Sequence, residues 1–231
     1  MRPAVSVIIP TWQEAAGIEA TIRAVRGCGS CEILVCDGGS SDGTIHRCGL
    51  ADRVLTSDPG RAKQLNAGAA AARGEILWFL HADCRPATGA IAAIERALAD
   101  SAVIGGAFSQ EIDHPGLVYR VIEHGNGLRV RLSGWIYGDQ GMFVRREVFE
   151  KLGGFPDLPL MEDLYFSKQL RQQGRIVLLK ERLLVSARRW EQDGPISRTL
   201  MNWRLILQAH RGVPLDQLAK EYRTKRGIAD D

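Results

Sequence analysis

The chain lacks the features that would place it in several broad classes. No apolar run approaches the ~20 residues that a membrane-spanning helix needs. The opening "MRPAVSVIIPTWQE" meets polar residues after only a few apolar ones, so no secretory leader is expected and the cytosol is the expected compartment. Neither sign of charge dominates: 30 basic and 27 acidic residues give a net charge of +3. That surplus is too small to make nucleic acid the default partner. There is no G-x-G-x-x-G fingerprint and no Walker A sequence, which argues against NAD and against an ATP-hydrolysing loop. No Pro/Ser-rich linker or repeat divides the chain. Cysteines are few and odd in number: Cys28, Cys31, Cys36, Cys48 and Cys84. Cys28 and Cys31 have redox-motif spacing, but such pairs usually open a helix, where the dipole lowers the thiol pKa. These two follow a predicted helix and precede a strand. A zinc site would need a second ligand pair, which Cys36 and Cys48 do not form. Packing and turn roles are expected for all five.

What the chain does have is a 45% share of hydrophobic residues over 231 positions, enough for one large α/β domain with a sizeable core. Strands are expected at Ala4–Ile9, Glu32–Cys36, Arg53–Thr56 and Glu75–Leu80. Helices are expected at Glu14–Arg26, Gly60–Arg73 and Thr88–Ala99. This alternation over the first hundred residues predicts a parallel sheet covered by helices. Beyond Asp100 the rhythm changes. "AVIGGAFSQEID" and "GMFVRR" read as strands. "LVYRVIEHGNGLRVRL" reads as a helix interrupted at Gly125 and Gly127. "MEDLYFSKQLRQQG" is amphipathic, Ile176–Leu179 is a strand, and Ile196–His210 is a helix before a polar, basic end. One domain is expected over 1–231: a nucleotide-binding half at about 1–100, an acceptor and catalytic half at about 101–195, and a C-terminal helix and tail at 196–231.

Ligands of open parallel sheets bind outside the carboxyl ends of the strands. Thr11 and Glu14 follow the first strand there, Asp37 the second, and Asp83 the fourth. Each alone could be a cap or turn residue; their convergence on one edge points to a site. A carboxylate in "CDGGSSDGT" can accept from a base or ribose, which points to a mononucleotide. Asp83 is best explained as a ligand of a hard cation, because one or two carboxylates suffice when a diphosphate completes the shell. His81 could add a nitrogen ligand or a hydrogen bond. Glu162 and Asp163 open a helix, where acids complement the dipole or where one could act as a general base. Arg188 and Arg189 beside Trp190 suit a phosphate clamp.

In this order the segments resemble the family 2 glycosyltransferases of the GT-A fold. The likeness runs from about Val5 to Trp190 through "SVIIPTWQE", "VCDGGSSDGT", "GRAKQLNAGAAAARGEILWFLHADC", "GDQGMFVRR", "GGFPDLPLMEDLYF" and "RRW". It is closest to the small soluble bacterial members. The resemblance implies a mainly parallel α/β sheet with a Rossmann-like first half. It implies an inverting transferase that moves a sugar from a UDP or GDP sugar to a hydroxyl acceptor with Mg²⁺ or Mn²⁺. Pro10, Thr11 and Glu14 would line the nucleotide pocket, Asp37 would read the base, and Arg61 would face the nucleotide or its phosphates. Asp83, with His81, would hold the metal. Asp139, Gln140 and Glu162 would bind substrate, Asp163 would be the base, and Arg189 and Trp190 would close over the diphosphate and acceptor. Two positions depart from the family pattern. His81 stands where the first Asp of D-x-D usually does, and Ser186 replaces the Gln of Q-x-x-R-W, which argues against a processive polysaccharide synthase. A non-catalytic nucleotide-sugar-binding module and a nucleotidyltransferase are the rival readings.

The C-terminal segment has two readings. Leu200, Trp203 and Leu207 form a stripe, with Arg198, Arg204 and Arg211 on other faces, and Lys220, Arg223, Lys225 and Arg226 beyond. The stripe is expected to pack on the domain's own core. The alternative is a peripheral membrane contact of a basic amphipathic segment.

Overall fold

Short runs of β-branched and other apolar residues make the first half of a sheet, buried on both faces in every strand but the edge one at Arg53–Thr56. The computed structural model describes residues 4–225. Strands β1 (Val5–Thr11), β2 (Glu32–Asp37), β3 (Arg53–Thr56) and β4 (Ile76–Phe79) lie parallel in the order β3-β2-β1-β4. The sheet then continues as β7-β6-β8-β5, made of β7 (Phe143–Arg145), β6 (Val103–Ile112), β8 (Arg175–Val185) and β5 (Cys84–Pro86). β7 runs antiparallel to both β4 and β6; β6 and β8 are parallel, and β5 is antiparallel to β8. The first half is therefore the expected parallel unit, and the second half is mixed.

Side chains alternate across the sheet, as strand geometry requires. Val7 and Ile9 of β1, with Trp78 of β4, enter one core with α1 (Ile18–Arg26) and α3 (Ala90–Leu98). Ile8, Leu77 and Phe79 enter the other core with α2 (Arg61–Ala71), α5 (Arg146–Lys151) and α6 (Glu162–Gln173). A third cluster joins Met161 and Leu164 to Leu205 of α8 (Pro195–His210) and Leu218 of α9 (Leu215–Lys225). α4 (Leu117–Ser133) packs on β6 and β8, and α7 (Arg188–Asp193) precedes α8. No helix among the described residues is long and apolar enough to cross a membrane.

The five thiols are free and buried. Burial pushes Cys31 and Cys48 up to about 11 and Cys36 to about 12, which suits packing and not redox chemistry.

Several boundaries differ from expectation. α1 begins at Ile18, not Glu14, because the Glu14 carbonyl closes a turn by accepting from Gly17 and Ile18 N–H at 3.0 Å. α4 runs unbroken through Gly125 and Gly127. Each glycine costs a helix about 1 kcal/mol, and burial of Tyr119, Glu123 and Val130 offsets that cost. β8 extends to Val185 because its second part finds partners in β5 and the end of β6. The basic end forms α9 as far as Lys225; Arg226 lies outside the described residues.

Close packing of α2 on the sheet depends on Gly68. A Cβ there would collide with Ile8 Cγ2 and stand 2.6 Å from Cys36 Sγ. Overpacking costs about 1–3 kcal/mol, and helix propensity returns up to about 1. Gly68→Ala should therefore lower stability by about 1–2 kcal/mol in urea denaturation; an unchanged midpoint would contradict this packing.

Candidate active site

The edge at which the first-half strands end is assembled by Asp37. It is fully buried, and its two oxygens accept from Thr11 Oγ1 (3.0 Å), Ser40 Oγ (2.6 Å), Gly39 N–H (2.9 Å) and Ser40 N–H (2.7 Å). Its first role is to fold the loop after β2; a base contact through this carboxylate would require one of these donors to yield. Asp42 ties that loop to the one after β1, accepting from Thr44 Oγ1 (2.5 Å) and from Ala15 N–H (3.0 Å). The Thr44 hydroxyl and the Ala15 N–H hold the Asp42 carboxyl below its ordinary value. Gln64 of α2 fastens both strand ends, donating to the Thr11 carbonyl at 2.7 Å and the Cys36 carbonyl at 2.8 Å. Sequence reasoning missed Gln64, since a lone amide on an Ala-rich helix carries no signal. Pro10 is half-buried beside this edge. Glu14 lies 4.0 Å from Arg188 of α7. Trp190, expected over the ligands, instead joins the hydrophobic core on the α1–α3 side. The Arg189 side chain lies outside the described residues.

The second cluster forms where the two halves of the sheet meet. Arg61 is the first residue of α2. Its Nε donates to Glu162 Oε1, its Nη2 lies 3.5 Å from Asp163 Oδ2, and its Nη1 lies 3.5 Å from His81 Nε2. Asp163 also accepts from Gly138 N–H at 2.6 Å and Leu164 N–H at 2.7 Å. Met161, just before α6, holds a left-handed backbone (φ 66°) while buried against the α8–α9 cluster. Such strain persists only when surrounding structure enforces it, and here it sets the angle at which Glu162 and Asp163 leave the helix. Gly138 leaves the room for this meeting. A Cβ there would stand 2.5 Å from His81 Nε2 and 3.0 Å from Asp163 Oδ2.

Electrostatics follow from burial. Burial would depress the Arg61 guanidinium, but Glu162 and Asp163 outweigh it and raise its pKa. Burial raises Glu162; Arg61 opposes that rise and Asp163 adds to it. Burial likewise raises Asp139, opposed by Arg129 and Gln110 and reinforced by Asp163 and Asp83. Gln140, expected to bind substrate, is fully buried behind its loop. Its Oε1 accepts from Arg129 at 2.5 Å and from Tyr137 N–H at 3.2 Å. Arg129 also covers the Tyr137 ring at 3.3 Å.

A cleft opens over this cluster. Arg61, His81, Gly138, Asp139 and Asp163 form one wall, and Arg198, Asn202 and Tyr222 of α8 and α9 form part of the other. Arg198, expected off the Leu200–Trp203–Leu207 stripe, is buried and donates to Asp193 at 2.5 Å and to the Tyr222 hydroxyl at 3.3 Å. Nothing in the local sequence marks these three residues, because tertiary packing alone brings the last two helices to the cleft.

Among the described residues, no three His, Cys, Asp or Glu side chains make a preassembled metal group. The donor set still suits a hard cation that brings its own phosphate ligands. Asp83 is half-buried near the cleft, and Asp139 Oδ1 is a buried oxygen with no hydrogen-bond partner among the described residues. Asp139 feels both Asp83 and Asp163 as like charges. A folded carboxyl with a raised pKa keeps its proton after the unfolded chain has lost it. Stability is then full below the ordinary carboxylate range and falls as pH rises through the raised folded value. Asp139→Asn should remove that fall. Thermal melts should show the variant gaining on the wild type toward neutral and alkaline pH and not in acid; equal gains at every pH would contradict the assignment.

Residues 6–153 match the family described as Glycosyl transferase family 2, and the chain belongs to that family. The Bacillus subtilis "Probable glycosyltransferase YdaM" is 26% identical over 97% of this chain and 59% of its own length. The Mycobacterium tuberculosis "Uncharacterized glycosyltransferase Rv1514c" is 38% identical over 34% of this chain and 33% of its own. The chain thus spans about a third to three-fifths of these relatives. The crystal structure of S. aureus TarS 1-349 in complex with UDP superposes with a TM-score of 0.61 at 18% identity, covering 80% of this chain and 60% of that one. The complex of the same protein with UDP-GlcNAc gives 0.60 at 18%, over 80% of this chain and 58% of that one. The fold is that of the GT-A glycosyltransferases.

Proposed function

We propose that this chain transfers a sugar from a nucleoside-diphosphate sugar to a hydroxyl acceptor, with inversion at the anomeric carbon. The observation that carries the reading is Asp163. One of its oxygens is fixed by the Gly138 N–H and neighbours Arg61, at a cleft that His81 and Asp139 also line. A general base needs a carboxylate held at such a fixed place. Asp163 takes the acceptor hydroxyl proton as that oxygen forms its bond to the anomeric carbon, and the bond to the diphosphate breaks from the opposite face. Asp83, with His81 and Asp139 near it, would hold Mg²⁺ or Mn²⁺. The cation would supply positive charge to the leaving diphosphate. Arg61 keeps two adjacent carboxylates from repelling each other while one of them works. A uridine donor is the first to test, because the structural neighbour TarS is described with UDP and UDP-GlcNAc; a GDP sugar is the second.

The test is a screen of UDP and GDP sugars for nucleoside-diphosphate release with Mg²⁺ or Mn²⁺. Release with wild-type protein that disappears in Asp163→Asn supports the reading. Pyrophosphate release would point to nucleotidyl transfer. Tight donor binding with no turnover in any acceptor mixture would leave a binding module.

A further inference from the structure

Two neighbouring helices point rows of large apolar side chains into solvent. On α4, Leu117 is 82% and Leu132 75% exposed, with Val121 and Leu128 exposed between them. On α8, Ile196 and Trp203 are each 64% exposed, with Leu200 and Leu207 in the same row. Among the described residues, no large hydrophobic outside these rows exceeds the 46% of Trp12. The spacing within each row is that of one helical face, where a surface helix ordinarily carries polar side chains. The inner faces are already used. α4 packs on β6 and β8, and α8 sends Arg198 and Leu205 to the cleft. The expectation that Leu200, Trp203 and Leu207 pack on the chain's own core is thus corrected: α8 buries its opposite side.

The exposed charges on the two helices themselves have one sign. α8 contains no Asp or Glu from Pro195 to His210. The one acid of α4, Glu123, is buried and held by Arg120 and the Ile112 N–H. Arg131 and Arg211 are exposed beside the rows, and Arg204 is shared with Glu221 of α9.

We propose that the outer faces of α4 and α8 dock on an anionic lipid bilayer. The two helices lie in the interface plane, the apolar rows enter the headgroup–acyl boundary, and Arg131 and Arg211 sit among the anionic headgroups. A second copy of the chain is the other occupant an apolar face could take. A two-fold contact would set basic residues against basic residues with no exposed acid on either helix to answer them, so lipid is favoured. Docking does not rest on sugar transfer. It adds to that reading by bringing a cleft walled by α8 to the bilayer surface, within reach of an acceptor carried on a lipid.

The test uses the full chain with vesicles of equimolar phosphatidylglycerol and phosphatidylcholine, and with vesicles of phosphatidylcholine alone. Co-sedimentation is expected with the anionic vesicles, weaker on the neutral ones and weaker in high salt. Leu128→Glu and Trp203→Glu, as separate proteins, should each lower partitioning about tenfold or more. Their thermal melts should match the wild type, because both side chains are exposed. No partitioning at low salt, or partitioning unchanged in both variants, overturns the proposal. Loss in only one of them overturns the two-helix face. A concentration-dependent dimer that the same variants dissolve, without vesicle binding, overturns it in favour of a second copy. Each of these readouts holds whether or not the protein turns over a nucleotide sugar, so its failure is distinct from failure of the enzymatic assignment.

Discussion

Asp163→Asn is expected to lower the rate of sugar transfer by about 10²–10⁴-fold, the usual contribution of a positioned general base. The substitution keeps the shape of the side chain and one acceptor oxygen. Asp163 now accepts from two backbone N–H groups, Gly138 at 2.6 Å and Leu164 at 2.7 Å, so Asn loses one of these bonds. That loss should cost stability about 1 kcal/mol, far too little to explain the rate. Calorimetry should find donor binding nearly intact, because the fall is in proton transfer. Single-turnover rates within a factor of a few of the wild type would remove Asp163 from the base role. A parallel fall in donor affinity would make it a binding residue.

Arg61→Gln should be the most destabilising single change at the site. The Glu162 side chain is 3% exposed and takes its hydrogen bond from Arg61 Nε. Without the guanidinium, a buried carboxylate keeps its desolvation cost and loses its counter-charge. Breaking a fully buried pair costs about 3–5 kcal/mol, and the 37% exposure of the Arg61 side chain places the expected loss near the low end, about 3 kcal/mol. Adding Glu162→Gln should recover much of it, because the uncompensated charge is then gone. A double variant no more stable than Arg61→Gln alone would show that packing, and not charge, dominates. Activity should stay low even where stability recovers, since Asp163 also loses its cationic neighbour.

The strands that present the site were legible because their signal is local. β1, β2 and β4 are short apolar runs ending in polar residues, and the residues they deliver — Thr11, Asp37, His81 and Asp83 — stand at the predicted edge. Asp163 was legible through its place at the head of an amphipathic helix. Other features had no local signal. β5 is three residues long and contains a proline, and it becomes a strand only because β8 lies alongside. Gln140 sits in a motif that resembles an acceptor loop, but a half-buried Arg129 captures its amide oxygen and turns it inward. Trp190 follows two arginines in the same way, and its indole finds the core. Tyr222 and Asn202 reach the cleft through the packing of α8 and α9 on Met161 and Leu164, and no period or spacing near them marks that contact. The exposed row of α4 was hidden by its glycines, which made the segment look broken.

The antiparallel pairing of β4 with β7 also governs how the molecule comes apart. β4 belongs to the parallel half and β7 to the mixed half, joined through the register Ile76–Arg145, Leu77–Val144 and Trp78–Phe143. A fragment ending near residue 100 would keep β4 but strip its partner. It would then present a row of unpaired amides flanked by Trp78 and Leu77, the kind of bare edge that recruits other chains. The two halves are therefore not interchangeable modules. They should melt in one cooperative step, with matching calorimetric and van't Hoff enthalpies. A ligand that binds at the β1–β4 side should then raise the melting temperature of the whole chain, with no second transition left behind.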